Sequence, residues 1–256
     1  MGGDSPGTTD HRAQVIVLGS GDAFGSGGRL QPSLLVNTGG TRFLVDCGTT
    51  TLIALKRFDL DPADIDSILI THLHGDHFGG IPFLLRETQI LGRRSKPLTI
   101  AGPAGIHDRV MTVMTSFFPG SAHIEFNFDL AFVELNPDVP TSLQELIVHA
   151  YPAIHTPGTH PLSLRVEWND KAIACSGDTE WHPGLIDAAR DADLFVCECF
   201  EYGLKRKNHI DYQTLMNNRH LLRCRRIMLT HMNSSMLERC ESLELECARD
   251  GQIVWI

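Results

Sequence analysis

From residue 14 onward short apolar runs alternate with turn residues, and that spacing predicts strands first. Residues 15–18, 33–36 and 42–45 read as three strands in close succession, parted by glycine-bearing turns at 19–28 and 37–40. Residues 52–58 carry helical spacing. Asp61 and Pro62 mark a helix start, a capping carboxylate followed by proline at the first helical position. That helix is limited to about one turn, because residues 68–70 already read as the next strand. Residues 78–91 read as helix and 98–101 as strand. Over residues 106–117, Ile106, Val110, Val113, Met114 and Phe117 share one helical face. The second half continues with strands at 147–151, 162–168 and 171–175, and a helix at 185–190. Strands at 195–197 and 227–229 follow with a helix at 212–222 between them, and 252–256 is the closing strand. Strands run together in both halves and helices cover them. The expected class is therefore α/β (α+β), sheets packed on each other with helices outside, in one domain over residues 13–256.

Composition excludes classes rather than naming one. Residues 1–12 are polar, lack the apolar segment of a secretory signal and read as a disordered leader. No stretch approaches the ~18 apolar residues of a membrane span, so no membrane partner is expected and a cytoplasmic location is. The formal net charge of −9 argues against a broad nucleic-acid surface. The seven cysteines are scattered without a C-x-x-C pair, which predicts reduced, mostly buried thiols. Cys197 and Cys199 stand at strand spacing and should face one side. A homodimer is left open by the sequence.

Candidate chemistry concentrates in Thr71-His72-Leu73-His74-Gly75-Asp76-His77, at the mouth of the strand at 68–70. Alternation puts His72 and His74 on one side of an extended segment, and Gly75 turns the corner for Asp76 and His77. Imidazoles and a carboxylate packed this closely suit a borderline divalent metal such as Zn²⁺. The trailing Phe78-Gly79-Gly80 opens a helix with little bulk.

These residues resemble the H-x-H-x-D-H signature of the metallo-β-lactamase superfamily. The likeness spans nearly the whole chain, through residues 18–22, 43–48, 175–179 and 229–231. It implies a four-layer αβ/βα sandwich with a two-metal site at one edge of the sheets. It further implies that His72, His74 and a histidine after the strand at 147–151 bind one ion, that Asp76, His77 and His231 bind the other, and that Asp178 bridges them. For the middle histidine, His155 is preferred, with His160 as the rival across the 156–159 turn, while His149 lies inside the strand. The implied cofactors are two divalent ions, Zn²⁺ first, with Mn²⁺ or iron also suited to these donors. Two such ions would share a hydroxide whose parent water has a pKa near ~7. Asp22 and Asp46 read as supporting residues, and a phosphate cradle at 19–28 is a further option.

Lys207-Asn208-His209-Ile210-Asp211 before the helix at Tyr212 resembles the ribonuclease Z-like branch. There a histidine in this place assists catalysis and a strand glutamate pairs with it, which implies His209 and Glu198. Asp76, His209 and Glu198 are thus the expected catalytic residues. The short stretch between His155 and Asp178 leaves no room for the arm with which ribonuclease Z grips transfer RNA. The expected activity is a dinuclear metal-dependent phosphodiesterase on a small anionic ester. The alternatives are a transfer-RNA 3′-processing nuclease, a sulfatase of the same branch, or a non-catalytic cofactor-assembly protein.

Overall fold

The apolar runs assemble into two seven-stranded sheets in the computed structural model, which describes residues 13–91, 94–121 and 125–256. The leader expected over 1–12 lies outside the described residues. The first sheet takes β1 (Gln14–Gly19), β2 (Ser33–Asn37), β3 (Arg42–Val45), β4 (Ser67–Leu69), β5 (Leu98–Gly102) and β6 (Leu130–Glu134). The second takes β7 (Thr141–Leu143), β8 (Leu146–Pro152), β9 (Leu162–Trp168), β10 (Lys171–Cys175), β11 (Leu194–Glu198), β12 (Ile227–Thr230) and β13 (Glu246–Cys247). The chain then crosses back, and β14 (Ile253–Trp255) pairs antiparallel with β1.

Both sheets begin as antiparallel meanders and end as parallel ladders. The change falls at β3 in the first sheet and at β10 in the second. Parallel neighbours need crossovers, and these carry the helices. α1 (Thr51–Arg57), α2 (Gly75–Phe78), α3 (Ile81–Leu91) and α4 (Ile106–Phe117) belong to the first half; α5 (Gly184–Ala189), α6 (Tyr212–Asn218) and α7 (Ser234–Leu237) belong to the second.

The side chains sort into three apolar layers. Val15, Val17, Phe43 and Leu69 of the first sheet meet Val148, Leu164, Val166 and Trp168 of the second. Phe43 and Trp168 pack edge to face with centroids 6.0 Å apart. The alternate residues Ile16, Leu18, Leu44 and Ile68 face outward onto Leu84, Leu85, Val110 and Met114. On the far side Phe195, Cys197 and Leu229 bury against Leu185, Leu215 and Met236. A sheet covered on both faces reads as a nearly unbroken apolar run, as in the strands at 15–18 and 42–45. The result is the four-layer αβ/βα sandwich that the resemblance implies.

Two local expectations are corrected and one is met. The helix expected over 78–91 is broken at Gly79-Gly80 into α2 and α3. At the break the Gly80 N–H bonds to the Cys47 carbonyl at 2.8 Å instead of continuing the helix, and the approach is so close that a Cβ on Gly80 would lie 2.1 Å from the Gly48 carbonyl oxygen. The one-turn helix start at Asp61-Pro62 is as expected, a 3-10 turn over Pro62–Asp64 with the Asp61 carboxylate accepting from the Ala63 N–H. Finally, the thiols are not all free: Cys240 and Cys247 form a disulfide, because the turn after α7 folds back onto β13. Cys47, Cys175, Cys197 and Cys199 are free and buried. Among the described residues no helix is long and apolar enough to cross a membrane.

Candidate metal centre

β4 ends in the cleft between the sheets, and its extended continuation carries His72 and His74 before α2 brings round Asp76 and His77. The loops after β8, β10 and β12 deliver His155, Asp178 and His231 to the same place. Four overlapping groups of donors could each hold an ion. Two join His209 to His155 and Asp178 and to Glu198 and His231, and the other two consist of the expected ligands. In the first, His74 Nδ1 lies 3.1 Å from His72 Nε2 and 3.1 Å from His155 Nε2. The second gathers Asp76, His77, Asp178 and His231, with His77 Nε2 3.2 Å from Asp76 Oδ2 and 3.3 Å from Asp178 Oδ1. Asp178 faces both groups. Its Oδ2 is 3.2 Å from His231 Nε2, 3.8 Å from His155 Nε2 and 3.9 Å from His72 Nε2.

Two kinds of observation test whether a metal fits. First, burial holds His72, His74 and His155 below the usual imidazole range, the neighbouring histidines adding to it. Their inward nitrogens converge, those of His72 and His155 each 3.1 Å from that of His74, an arrangement that a cation can join. Second, His77 Nε2 and Asp178 Oδ1 are buried without a hydrogen-bond partner among the described residues, which is costly unless something else satisfies them. Burial alone would lower His77 and His231 too. The carboxylates of Asp178 and Asp76 outweigh it, raising His77 well above the usual range and His231 to about 9. Buried negative charge here demands positive charge. Imidazole and carboxylate donors in this number suit borderline divalent ions.

The outer nitrogens of His72, His77 and His155 are held by specific partners, as imidazoles that bind a metal require, whereas His231 Nδ1 is buried without one among the described residues. Asp46 ends β3 in the left-handed region at φ 59°. Its Oδ2 sits 2.7 Å from His77 Nδ1, and its Oδ1 accepts from the Thr71 N–H at 2.8 Å. The Thr71 hydroxyl lies 3.1 Å from His72 Nδ1. His155 Nδ1 donates to the Asn208 carbonyl at 2.8 Å. Asp46 was legible as a supporting residue. Thr71 and Asn208 were not, and the Asn208 contact leaves no side-chain signal because it is made by a backbone oxygen.

His209 reaches the centre from the loop before α6. Its Nδ1 lies 3.1 Å from Glu198 Oε2, and Phe200 stacks on its ring at 4.7 Å. Glu198 is fixed in turn by the Thr179 N–H at 2.5 Å. Burial opposes protonation of His209, but the Glu198 carboxylate outweighs it and raises the imidazole above its usual range. The ring stacks face to face with His231 at 5.6 Å, which sets it at the lip of the metal groups.

The structure brings together His72, His74, Asp76, His77, His155, Asp178, His231, His209 and Glu198. It leaves His160 outside, exposed and in the left-handed region beside Leu73 and Arg109. His149 stays on β8, 3.5 Å from Glu167. The phosphate cradle is also corrected. The Asp22 carboxylate itself takes the Phe24 and Ser26 N–H groups at 3.1 and 2.9 Å and the Ser26 hydroxyl at 2.6 Å. A phosphate there would meet occupied donors and a like charge. For the middle ligand, His155→Ala is expected to weaken metal binding by at least the ~10–100-fold that loss of an outer-shell support costs, with His160→Ala near wild type. Chelator competition on both variants checks the order, and the reverse order would move the role to His160.

Residues 13–253 match the family model described as "Anti-Pycsar protein Apyc1". The chain is 27% identical to a ribonuclease Z from Clostridium beijerinckii, over 90% of this chain and 91% of that one. Among solved structures it is similar to the metallo-β-lactamase fold protein YhfI from Bacillus subtilis, at TM-score 0.76 and 20% identity over 96% and 100% of the two chains. It is similar also to the short form of human tRNase Z, at TM-score 0.75 and 24% identity over 94% and 98%.

Proposed function

From a chain that belongs to the family described as anti-Pycsar protein Apyc1, within the ribonuclease Z-like branch of the metallo-β-lactamase-fold hydrolases, we propose a phosphodiesterase that acts on a small anionic phosphodiester with two divalent ions. The observation that carries this reading is the Glu198–His209 pair standing beside the two donor groups. When bound, the ions supply an activated water and positive charge for the phosphoryl oxygens. The protein's own residues supply the rest. Asp46, Thr71 and Asn208 orient the imidazoles. Asp178 spans the groups and fixes their spacing. Glu198 keeps His209 protonated, so that its free Nε2–H can donate to the departing oxygen or to a phosphoryl oxygen.

Two features favour a small substrate over structured RNA. The β8–β9 connection, residues 153–161, is a short turn where a transfer-RNA nuclease would carry its arm. The acidic net charge of −9 opposes a polyanion. Zn²⁺ is the first metal to try, since histidine supplies most of the donors. The reading is tested on metal-loaded protein with 3′,5′-cyclic nucleotides, linear phosphodiesters, a sulfate ester, a lactone, a thiolester and a precursor transfer RNA. Turnover of the small phosphodiesters above all others is expected. Preference for the precursor RNA would replace it with 3′-processing, and no turnover on any ester would point to a binding role.

A further inference from the structure

We infer that Glu180 is a positioning residue that couples the middle metal ligand, His155, to the acid, His209, by holding Asn208 between them. The catalytic half of this assignment rests on the phosphodiesterase reading. Glu180 lies two residues past Asp178 and belongs to none of the donor groups. Its carboxylate instead grips the backbone of the loop that carries His209.

Three tethers meet at Asn208. Its N–H donates to Glu180 Oε1 at 2.9 Å, its carbonyl accepts from His155 Nδ1 at 2.8 Å, and its side-chain amide donates to the Thr156 hydroxyl at 3.2 Å. Asn208 stands in the left-handed region at φ 71°, a conformation that asparagine tolerates better than most residues. His209 follows directly, its ring edge to face with that of His155 at 5.0 Å. One short piece of backbone therefore supports the ring of a proposed ligand and carries the acid.

Glu180 is itself fixed from the metal side. Its N–H donates to the Ile154 carbonyl at 2.8 Å. The Thr179 hydroxyl donates to the Glu180 carbonyl at 2.8 Å and accepts from the Ile154 N–H at 2.9 Å. These bonds lock the segment after Asp178 to the segment before His155, so the carboxylate reaches the His209 loop from a frame that carries two proposed ligands. A hydrogen bond to a carboxylate is stronger than one to a neutral acceptor. By contrast Lys205, Arg206 and Lys207 are exposed, and the ion pair of Arg206 with Glu201 at 3.8 Å holds the loop weakly. Freed from Glu180, the Asn208 backbone can shift, and a displacement of ~1 Å at a reacting group costs on the order of 10²-fold in rate.

The test compares Glu180→Ala with Glu180→Gln, whose amide oxygen can still accept the Asn208 N–H. By chelator competition Glu180→Ala is expected to lose roughly tenfold in affinity for one ion, because the support of His155 loosens. At saturating metal it should lose up to roughly 100-fold in kcat on an alkyl phosphodiester, with a much smaller loss on a nitrophenyl ester. The alkyl loss should vanish when Glu180→Ala is made in the His209→Ala background, since the two residues act through one group. A purely structural role would lower both esters alike in either background. Glu180→Gln should rescue both the affinity and the rate. If the wild type hydrolyses neither ester, the phosphodiesterase reading fails, and the metal-affinity arm alone judges Glu180. An equal loss on both esters, a loss that persists without His209, or wild-type metal affinity in Glu180→Ala overturns the coupling.

Discussion

Asp178→Ala is expected to release both metal ions and to lower turnover by roughly 10³-fold or more. The size follows from the several kcal/mol of charge stabilisation that bound metal supplies, at ~1.4 kcal/mol per tenfold in rate. The reason lies in the placement of one side chain. Asp178 is buried at 3% exposure and its carboxylate faces donors of both groups, His77 and His231 on one side and His72 and His155 on the other. Removing it takes a shared anion from two sites at once. His77→Ala removes a donor from the second group alone, so it should cost about one ion rather than both. Elemental analysis of the two variants, with rates on a nitrophenyl phosphodiester, checks the contrast. Asp178→Asn, which keeps the shape and removes the charge, guards against simple misfolding. Retention of two ions by a folded Asp178 variant would remove it from the bridging position.

His209→Ala is expected to keep its metals and still lose ~10²–10⁴-fold on an alkyl phosphodiester, the usual span for general acid catalysis. An alkoxide leaves poorly at neutral pH without a proton. His209 is placed to give one, because its Nδ1 is committed to Glu198 and the other nitrogen is free for substrate. The loss should shrink with a nitrophenyl leaving group, which departs unprotonated. An equal loss on both esters would assign His209 to the phosphoryl oxygens instead. The pH profile carries an independent sign. Glu198 raises the His209 pKa, so the acid form persists to higher pH than in a free imidazole and is lost as pH rises through the raised value. Glu198→Gln should therefore move the alkaline limb of kcat to lower pH. A limb that stays put would mean that Glu198 does not set this proton.

The sequence was most legible where function is local. His72, His74, Asp76 and His77 share one strand end and one turn, so their spacing alone displayed them. Asp178 and His231 were named only through the family resemblance of the stretches 175–179 and 229–231, since neither has a directly neighbouring donor in the sequence to mark it. His155 required a choice that the turn at 156–159 left open, since only the path of the chain decides which histidine turns inward. The contacts that fix the rings were harder. Asn208 acts through its carbonyl and Phe200 through stacking, and neither depends on sequence spacing. β6 and β7 were not read from the sequence: β6 is a five-residue edge strand with no fully buried position, and β7 is three residues long. The glycine-rich turn at 19–28 reads alike whether a ligand's phosphate or the chain's own Asp22 fills it.

The way the donors divide between the two halves of the sandwich has a consequence for folding. His72 and His74 precede the first sheet's last strands, whereas His155 follows β8 of the second. In the other group Asp76 and His77 belong to the first half, Asp178 and His231 to the second. An ion held by either group therefore clasps the halves together across the cleft. Affinity for metal and resistance to unfolding then become one linked equilibrium. A chelator acts as a mild denaturant of such a molecule, and a substitution deep in the layer between the sheets, far from any donor, can loosen the grip on the ion.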